Sequence, residues 1–323
     1  MEGQMDIVIT KEKSGCTVKS FLTAELKISS AMLRHLKFLE DGILVGGRHV
    51  TVRYILREGD VLSVKTEDSG AVEKIVPSDI PLDIIYEDED IVLPSKPPFM
   101  PTHPSHGHYG DTAANALCFR YKKEGEPFVF RPVNRLDRNT SGLLLVARNR
   151  IAAANLFKSM KEGRIEKEYI ALLDGTLPNE VGEIETYMKR TEASIIVRRV
   201  CGKDEGGDFA LTKYKVIYSN GAHTLVAASP ITGRTHQLRV HFAHLGAPIV
   251  GDDIYGKESK NIDRHALHAF RLSFPHPKDN RNVTVTSALP EDMKGLVRAA
   301  FGSDGCERAK QAFFDICNGE DIL

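Results

Sequence analysis

The first 75 residues change from a helical to a strand-like period of hydrophobic positions. Apolar residues recur at helical spacing in Val18–Leu26 and again in Ala31–Glu40. Around the Gly46–Gly47 pair they alternate with polar residues, which predicts a β-hairpin, and Val61–Val64 predicts a closing strand. We therefore expect a small α/β domain over residues 1–75.

The rest of the chain, residues 76–323, has a strand-rich pattern with short helices between the strands. Leu82–Tyr86 and Ile91–Leu93 flank an acidic turn, and Leu143–Ala147 predicts one long apolar strand. The order of these elements lacks the regular β-α-β rhythm of a doubly wound sheet. The pattern predicts an α+β second domain, joined to the first by the polar stretch Thr66–Pro77.

Composition narrows the class of protein. The chain has 323 residues, of which 41% are hydrophobic and 27% charged, as in soluble globular proteins of about two domains. The five cysteines are scattered and form no CxxC pair, which favours a reducing compartment and disfavours structural zinc. No apolar run is long enough to span a bilayer, and the N-terminus lacks a signal pattern. These features predict a cytoplasmic protein without a membrane partner.

Two stretches of local positive charge contrast with a formal net charge of -1. Residues 209–251 contain no acid, and in residues 131–150 five arginines accompany a single carboxylate, Asp137. The two stretches can form one basic surface for nucleic acid. A carboxylate held in a loop beside a rigid strand can act as a nucleophile or a base, while a local salt bridge is the simpler interpretation of Asp137.

Residues 237–244 fit two secondary structures. Their alternating apolar residues fit a strand, whereas Gln237, His241 and His244 would share one face of a helix. His236, His241 and His244 also raise the hypothesis of a metal site. We disfavour it because no HExxH motif or acidic third ligand lies at a suitable spacing, and histidines that pack or form hydrogen bonds are commoner.

Five motifs together resemble those of the RluA-type pseudouridine synthases, over about residues 81–289. In chain order they read DIVLPSKPPFMPTHPS, NRLDRNTSGLLLVARN, EKEYIALLDG, TGRTHQLRVHFAHLGAPIVGDDIYG and RHALHAFRLSFPHP. In the N-terminal part, the two predicted helices, the glycine turn and the sequence REGDVLSV resemble an S4-type RNA-binding domain. The two resemblances together cover most of the chain.

The resemblance to the synthases implies roles for individual residues. Asp137 would be the catalytic aspartate, and Arg239 would pair with it. Tyr169 would stack on the uracil and could help to remove the proton from C5, and Leu238 would pack against the base. Arg135 would fill the space that a flipped uridine leaves in an RNA helix.

Four further residues are assigned to RNA binding: Arg234 and His236 in the second domain, and Arg34 and Lys37 on the second helix of the S4-like domain. The implied fold is a mixed, mainly antiparallel sheet with a central basic cleft, plus the small α/β S4-like domain. The implied activity is isomerisation of specific uridines in structured RNA, with ribosomal RNA favoured over tRNA. The enzyme would be a monomer that needs no cofactor and no metal.

Two other functions are weighed against this one. A non-catalytic RNA-binding or ribosome-assembly factor on the same fold would keep the basic surface but would not need the carboxylate of Asp137. A metal-dependent hydrolase that uses the histidines is the more distant alternative. Removal of the Asp137 carboxylate separates the synthase from the binding factor.

Overall fold

The structure is a computed structural model that describes residues 4–26, 28, 33, 36–37, 39, 41–65, 75–194 and 196–316. These residues form two β-sheets, one of four strands and one of twelve. In the described ranges, no helix is both long enough and apolar enough to cross a membrane.

The four-stranded sheet is formed by the N-terminal residues. Its elements are β1 (Gln4–Val8), helix α1 (Val18–Ala24), β2 (Ile43–Val45), β3 (Arg48–His49) and β4 (Val61–Lys65). The strands pair antiparallel in the order β1-β4-β2-β3, which confirms the predicted hairpin and closing strand. The predicted helix Ala31–Glu40, including Arg34, falls largely outside the described residues. From that stretch, Leu33 and Leu36 are buried in the core below the sheet.

The twelve-stranded sheet follows from residue 83 onward. Its strands are β5 (Asp83–Glu87), β6 (Ile91–Lys96), β7 (Arg131–Pro132), β8 (Ser141–Leu143), β9 (Val146–Ala147), β10 (Glu166–Asp174), β11 (Val181–Arg190), β12 (Arg198–Cys201), β13 (Asp208–Ser219), β14 (His223–Pro230), β15 (Leu267–Pro275) and β16 (Asn282–Thr286). The main order is β12-β11-β13-β14-β10-β15-β8-β6-β9-β7, with β16 paired to β15 and β5 to β6. The β8 and β15 strands pair parallel and the other pairs are antiparallel. This confirms the predicted α+β class with a mixed, mainly antiparallel sheet.

Four helices pack on the large sheet and its loops. They are α2 (Ala113–Glu124), α3 (Arg150–Lys161), α4 (Gln237–His244) and α5 (Glu291–Ile316, with a break at Gly302). Of the two interpretations of residues 237–244, the helix is therefore the correct one. The largest core cluster joins the sheet to α4 and α5, where Phe270 and Phe313 meet edge to face with ring centroids 5.3 Å apart. Ile151 of α3 is instead part of the N-terminal core cluster.

The loop of residues 133–140, between β7 and β8, is anchored by Asn134. Its side-chain Nδ2 donates to the carbonyl of Leu143 at 3.3 Å, and its Oδ1 accepts from the amide of Leu145 at 2.7 Å. These two bonds lie between β8 and β9, which are consecutive segments of the chain that both pair with β6. The prediction of one continuous strand Leu143–Ala147 is therefore wrong, because a side chain from the loop replaces a neighbouring strand at this point.

Gly142, in β8, lies in close contact with the backbone of β15. Its φ is +111°, and a Cβ atom added there would lie 2.2 Å from the carbonyl oxygen of Ala269 in β15. We expect Gly142→Ala to lower the free energy of unfolding by about 3 kcal/mol or more, because neither backbone can move without breaking the parallel pairing. Denaturant unfolding measures the change.

Gly163→Ala is the matched control. Gly163 also has a positive φ, +69°, but nothing lies within 4 Å of the added Cβ. Only the left-handed backbone is then penalised, by about 1–2 kcal/mol. Equal destabilisation by the two substitutions would show that contact with β15 is not what requires glycine at position 142.

Candidate active site

The carboxylate of Asp137 lies in the anchored loop, and its side chain is 32% exposed. The residue before Asp137, Leu136, is held by the hydroxyl of Thr102. This hydroxyl donates to the carbonyl of Leu136 at 2.9 Å and accepts from the amide of Leu136 at 3.3 Å. The amide of Thr140 donates to the carbonyl of Asp137 at 3.1 Å. The loop therefore has a fixed backbone that presents one open carboxylate.

The ammonium group of Lys96, at the end of β6, braces the same loop from inside the protein. The side chain is fully buried, and Nζ donates to the carbonyls of Pro97 at 2.9 Å, Met100 at 2.7 Å and Arg138 at 3.1 Å. Burial lowers the pKa of Lys96 to about 7, with a smaller opposing effect from Asp137. Three carbonyl acceptors match the three N–H bonds of an ammonium, so they favour the charged form.

Arg239, on α4, makes its short contacts with Asp252. Nε and Nη2 each donate to one carboxylate oxygen of Asp252 at 2.7 Å, and both side chains are buried. Burial opposes both charges, but the hydrogen bonds and charges of the pair outweigh it, so the pKa of Asp252 is lowered and that of Arg239 is raised. The remaining nitrogen, Nη1, lies 3.9 Å from Oδ2 of Asp137.

The expected pairing of Arg239 with Asp137 therefore has a different form from the one the resemblance implied. The guanidinium faces Asp137 at long range, while its two-point contact is with Asp252. Sequence reasoning missed Asp252, although it ends the stretch Pro248–Asp252 that follows α4. Burial distinguishes it from its neighbour, since the side chain of Asp252 is fully buried and that of Asp253 is 59% exposed.

His236 precedes α4 in a left-handed backbone conformation, with φ +58°. Its Nδ1 lies 2.9 Å from the hydroxyl of Tyr255, which accepts a hydrogen bond from the amide of Arg198 at 2.8 Å. The hydroxyl hydrogen is then available to Nδ1, which favours a proton on Nε2, 3.8 Å from Oδ2 of Asp137. Burial lowers the pKa of His236 and Asp137 opposes this effect, so the imidazole is neutral near pH 7. Non-glycine residues with such strain concentrate at functional sites.

A cavity of about 280 Å³ opens beside Asp137. Seven of the nine site residues predicted from the sequence line it: Arg135, Asp137, Tyr169, Arg234, His236, Leu238 and Arg239. Lys37 is exposed in the N-terminal part and does not line this cavity, and Arg34 is outside the described residues. The cavity is also lined by Lys167, which sequence reasoning did not select and whose pKa is lowered by burial.

Tyr169 forms one wall of the cavity from β10. Its side chain is buried, and burial together with the charge of Asp137 raises its pKa far above neutrality. The phenol is therefore uncharged at physiological pH. Because Asp137 opens into the same cavity, a flat ligand held against the ring would lie beside the carboxylate.

Two of the three histidines behind the metal hypothesis, His236 and His241, make hydrogen-bond contacts with other side chains. The ring nitrogens of His241 lie 2.9 Å from the hydroxyls of Thr186 and Thr212, and burial lowers its pKa to about 4. His236 contacts Tyr255 instead. In the described ranges, a group of three side chains with ligand atoms within 4.8 Å of one another consists of Asp88, Asp90 and His276. That group lies outside the lining of the cavity.

Comparison with known proteins identifies the family. The family model described as RNA pseudouridylate synthase matches residues 90–244. The chain is 38% identical over 282 residues to the uncharacterized RNA pseudouridine synthase YjbO of Bacillus subtilis, and the match covers 87% of this chain and 98% of that protein. It is 33% identical over 233 residues to ribosomal large subunit pseudouridine synthase D of Borreliella burgdorferi, covering 70% of this chain and 71% of that protein.

Solved structures with the same fold come from human proteins. RNA pseudouridylate synthase domain containing 1 matches with a TM-score of 0.52 and 28% identity, covering 73% of this chain and 98% of that one. RNA pseudouridylate synthase domain containing 4 has a TM-score of 0.55 at 21% identity, over 67% of this chain and 92% of that one, and supports the fold alone. With its motifs, its fold and its relatives in agreement, the chain belongs to the RluA-type family of RNA pseudouridine synthases, which are isomerases.

Proposed function

We propose that this synthase modifies uridines of large-subunit ribosomal RNA and that Asp137 is its catalytic carboxylate. The observation that carries the assignment of Asp137 is its position at a cavity that also holds the Tyr169 ring and the Arg239 guanidinium. Among the residues that line the cavity, Asp137 is the one acid. The ribosomal substrate is supported by relatives named for the large ribosomal subunit, from three different bacteria.

The chemistry requires a carboxylate and a chamber for the detached base. The C1′–N1 bond breaks, the uracil turns, a C1′–C5 bond forms, C5 loses a proton and N1 gains one, so no electron donor or acceptor is needed. Asp137 can begin the reaction by attack on C1′ or by removal of the 2′ proton. In either route the carboxylate acts as the anion, and the guanidinium of Arg239 lies 3.9 Å from it.

The uridine must leave its stack in folded RNA before it reaches Asp137. Unstacking costs a few kcal/mol, which new contacts in the enzyme offset. We assign stacking on the uracil to Tyr169 and packing against the same base to Leu238. Arg135, which is exposed at the rim of the cavity, would fill the space that the uridine leaves in the RNA helix.

The uncharged phenol of Tyr169 favours stacking over proton removal. Since its pKa is raised by burial and by the charge of Asp137, the phenolate form that would accept a proton from C5 is scarce near pH 7. Of the two roles expected from the sequence, we therefore retain the stacking role.

A basic cleft around the cavity would hold the RNA backbone. Arg135, Lys167, Arg234 and Arg239 line the cavity. An adjoining surface depression, which shares Arg234, adds Lys189, Arg190 and Arg198 against a single acid, Asp208. Such a concentration of cations attracts phosphates although the whole chain is nearly neutral.

We further propose that residues 1–75 form an S4-like domain that contacts RNA through Arg34 and Lys37. The support is the resemblance of its sequence, the antiparallel sheet with α1 packed on it, and the exposure of Lys37. We propose that the protein acts as a cytoplasmic monomer, with residues 76–323 as the catalytic domain. The reaction as written needs no cofactor and no metal.

Asp137→Asn tests the catalytic carboxylate, because it keeps the size of the side chain and removes the anion. We expect turnover to fall by about 10³-fold or more while RNA affinity stays near that of the wild type. The measurement is release of tritium from C5-labelled uridines in an unmodified large-subunit RNA transcript. Undiminished release would support the alternative of a non-catalytic RNA-binding factor.

Asp252→Asn tests the support of Arg239. Breaking a buried pair leaves an uncompensated charge, so we expect a loss of about 3–5 kcal/mol in the free energy of unfolding and lower turnover. Arg239→Lys should also lower turnover, because an ammonium cannot make the two-point contact. Asp253→Asn is the matched control, since Asp253 is exposed and lies 3.6 Å from the same guanidinium. A variant of Asp252 as stable and active as that control would contradict the support role.

Replacement of both Arg34 and Lys37 by Ala tests RNA contact by the N-terminal domain. If both residues contact phosphates, affinity should fall and the slope of log K against log salt should become shallower by about two, one for each contact. Replacement of Lys11 and Lys13, two exposed lysines of the same domain, controls for the change in net charge. Equal slopes for the two double variants would exclude a specific contribution from Arg34 and Lys37.

A further inference from the structure

Phe99 has an unusual position for a large apolar residue. Its φ is +64°, in the left-handed region that glycine adopts freely and bulky side chains rarely occupy. Its side chain gains little from burial, because 47% of the residue is exposed. Neither folding propensity nor core packing accounts for phenylalanine here, and strain of this kind is a reason to look for a function.

The turn that carries Phe99 is held rigidly against the catalytic loop. The buried ammonium of Lys96 donates to the carbonyls of Pro97 and Met100, on either side of Phe99, and also to that of Arg138. Nε of Arg138 lies 3.4 Å from the carbonyl oxygen of Phe99. The backbone of Phe99 is therefore held beside Arg138, the residue after Asp137, although Phe99 does not line the cavity.

The charges of the loop that contacts Phe99 fit a nucleic acid. Arg135 and Arg138 flank Asp137 and are both exposed. Aromatic rings beside cationic side chains form the surfaces that bind unpaired nucleotides, since the ring stacks on a base and the cations attract the phosphates.

We propose that Phe99 is a stacking platform for an unpaired base of the RNA near the target uridine. The inference rests on the proposed function, since the bound RNA must place its target at Asp137. It assigns Phe99 to substrate binding and not to the reaction itself. Because the backbone of the turn is already fixed, RNA binding costs little conformational entropy there. This role explains why an exposed aromatic side chain is kept at a strained position.

Phe99→Gly is the principal test, because glycine suits the backbone and removes the ring. We expect unchanged or higher thermal stability, a KM for the large-subunit transcript raised at least about fivefold, and a turnover number close to the wild-type value. Phe99→Leu should show the same rise in KM, because leucine is apolar but offers no flat face. Asn280→Gly is the control, since Asn280 has a φ of +60° in an exposed turn of β15 and β16.

A fluorescent variant gives a second test that needs no turnover. The chain contains no tryptophan, so Phe99→Trp introduces a single indole whose emission should be quenched when the transcript binds. Ile85→Trp places an indole at a position of similar exposure, 44%, on β5 and should be quenched little.

The outcomes separate this inference from the proposed function. An unchanged KM in Phe99→Gly, or equal quenching at positions 99 and 85, would overturn the stacking platform while leaving an active synthase. An inactive wild-type protein would instead contradict the proposed function, and the quenching experiment would still decide whether the ring meets RNA bases.

Discussion

The buried ion pair of Arg239 and Asp252 is the interaction on which the rest of the site depends. Removing two charges from water costs several kcal/mol for each ion, and mutual attraction offsets this only in good geometry. Here the carboxylate accepts four hydrogen bonds, two from Arg239 and one each from the amides of Ile254 and Tyr255. A guanidinium held at two points cannot turn away, so its third nitrogen faces Asp137 in a constant direction.

The turn that contains Asp252 also joins the other parts of the site. Tyr255 lies below Arg239, with the guanidinium carbon 5.2 Å from the ring centroid, and its hydroxyl contacts His236. The amide of Val250, two residues before Asp252, donates to the carbonyl of Leu172 at 2.9 Å, in the same strand as Tyr169. The positions of the His236 imidazole, the Arg239 guanidinium and the Tyr169 ring therefore depend on one another, and the acid partner of Arg239 fixes geometry as well as charge.

The sequence predicted the fold class, one pair of adjacent strands in each sheet and seven of the residues around the cavity, because motifs with distinctive residue types can be identified without knowledge of packing. It left α4 undecided for a physical reason: residues Gln237 to Phe242 are buried on every side, so no polar face reveals the helical period. The break in Leu143–Ala147 depends on the amide of Asn134, which periodicity does not record. The identity of the acid that pairs with Arg239 could not be predicted either, because Asp252 and Asp253 are equivalent in the sequence and differ only in burial.

The structure divides the site into a fixed interior and an open rim. In the interior, Lys96, Arg239 and Asp252 are buried, and each makes several hydrogen bonds that depend on its position. This part can define the reaction, but it offers few contacts that could distinguish one RNA from another. At the rim, Arg135 and Phe99 are exposed, and we propose that they meet parts of the RNA outside the cavity. Discrimination requires contacts that differ between substrates, and every uridine presents the same base to the interior. The choice of target must therefore be made by the rim and by surfaces farther from Asp137, which can change in sequence without disturbing the buried ion pair.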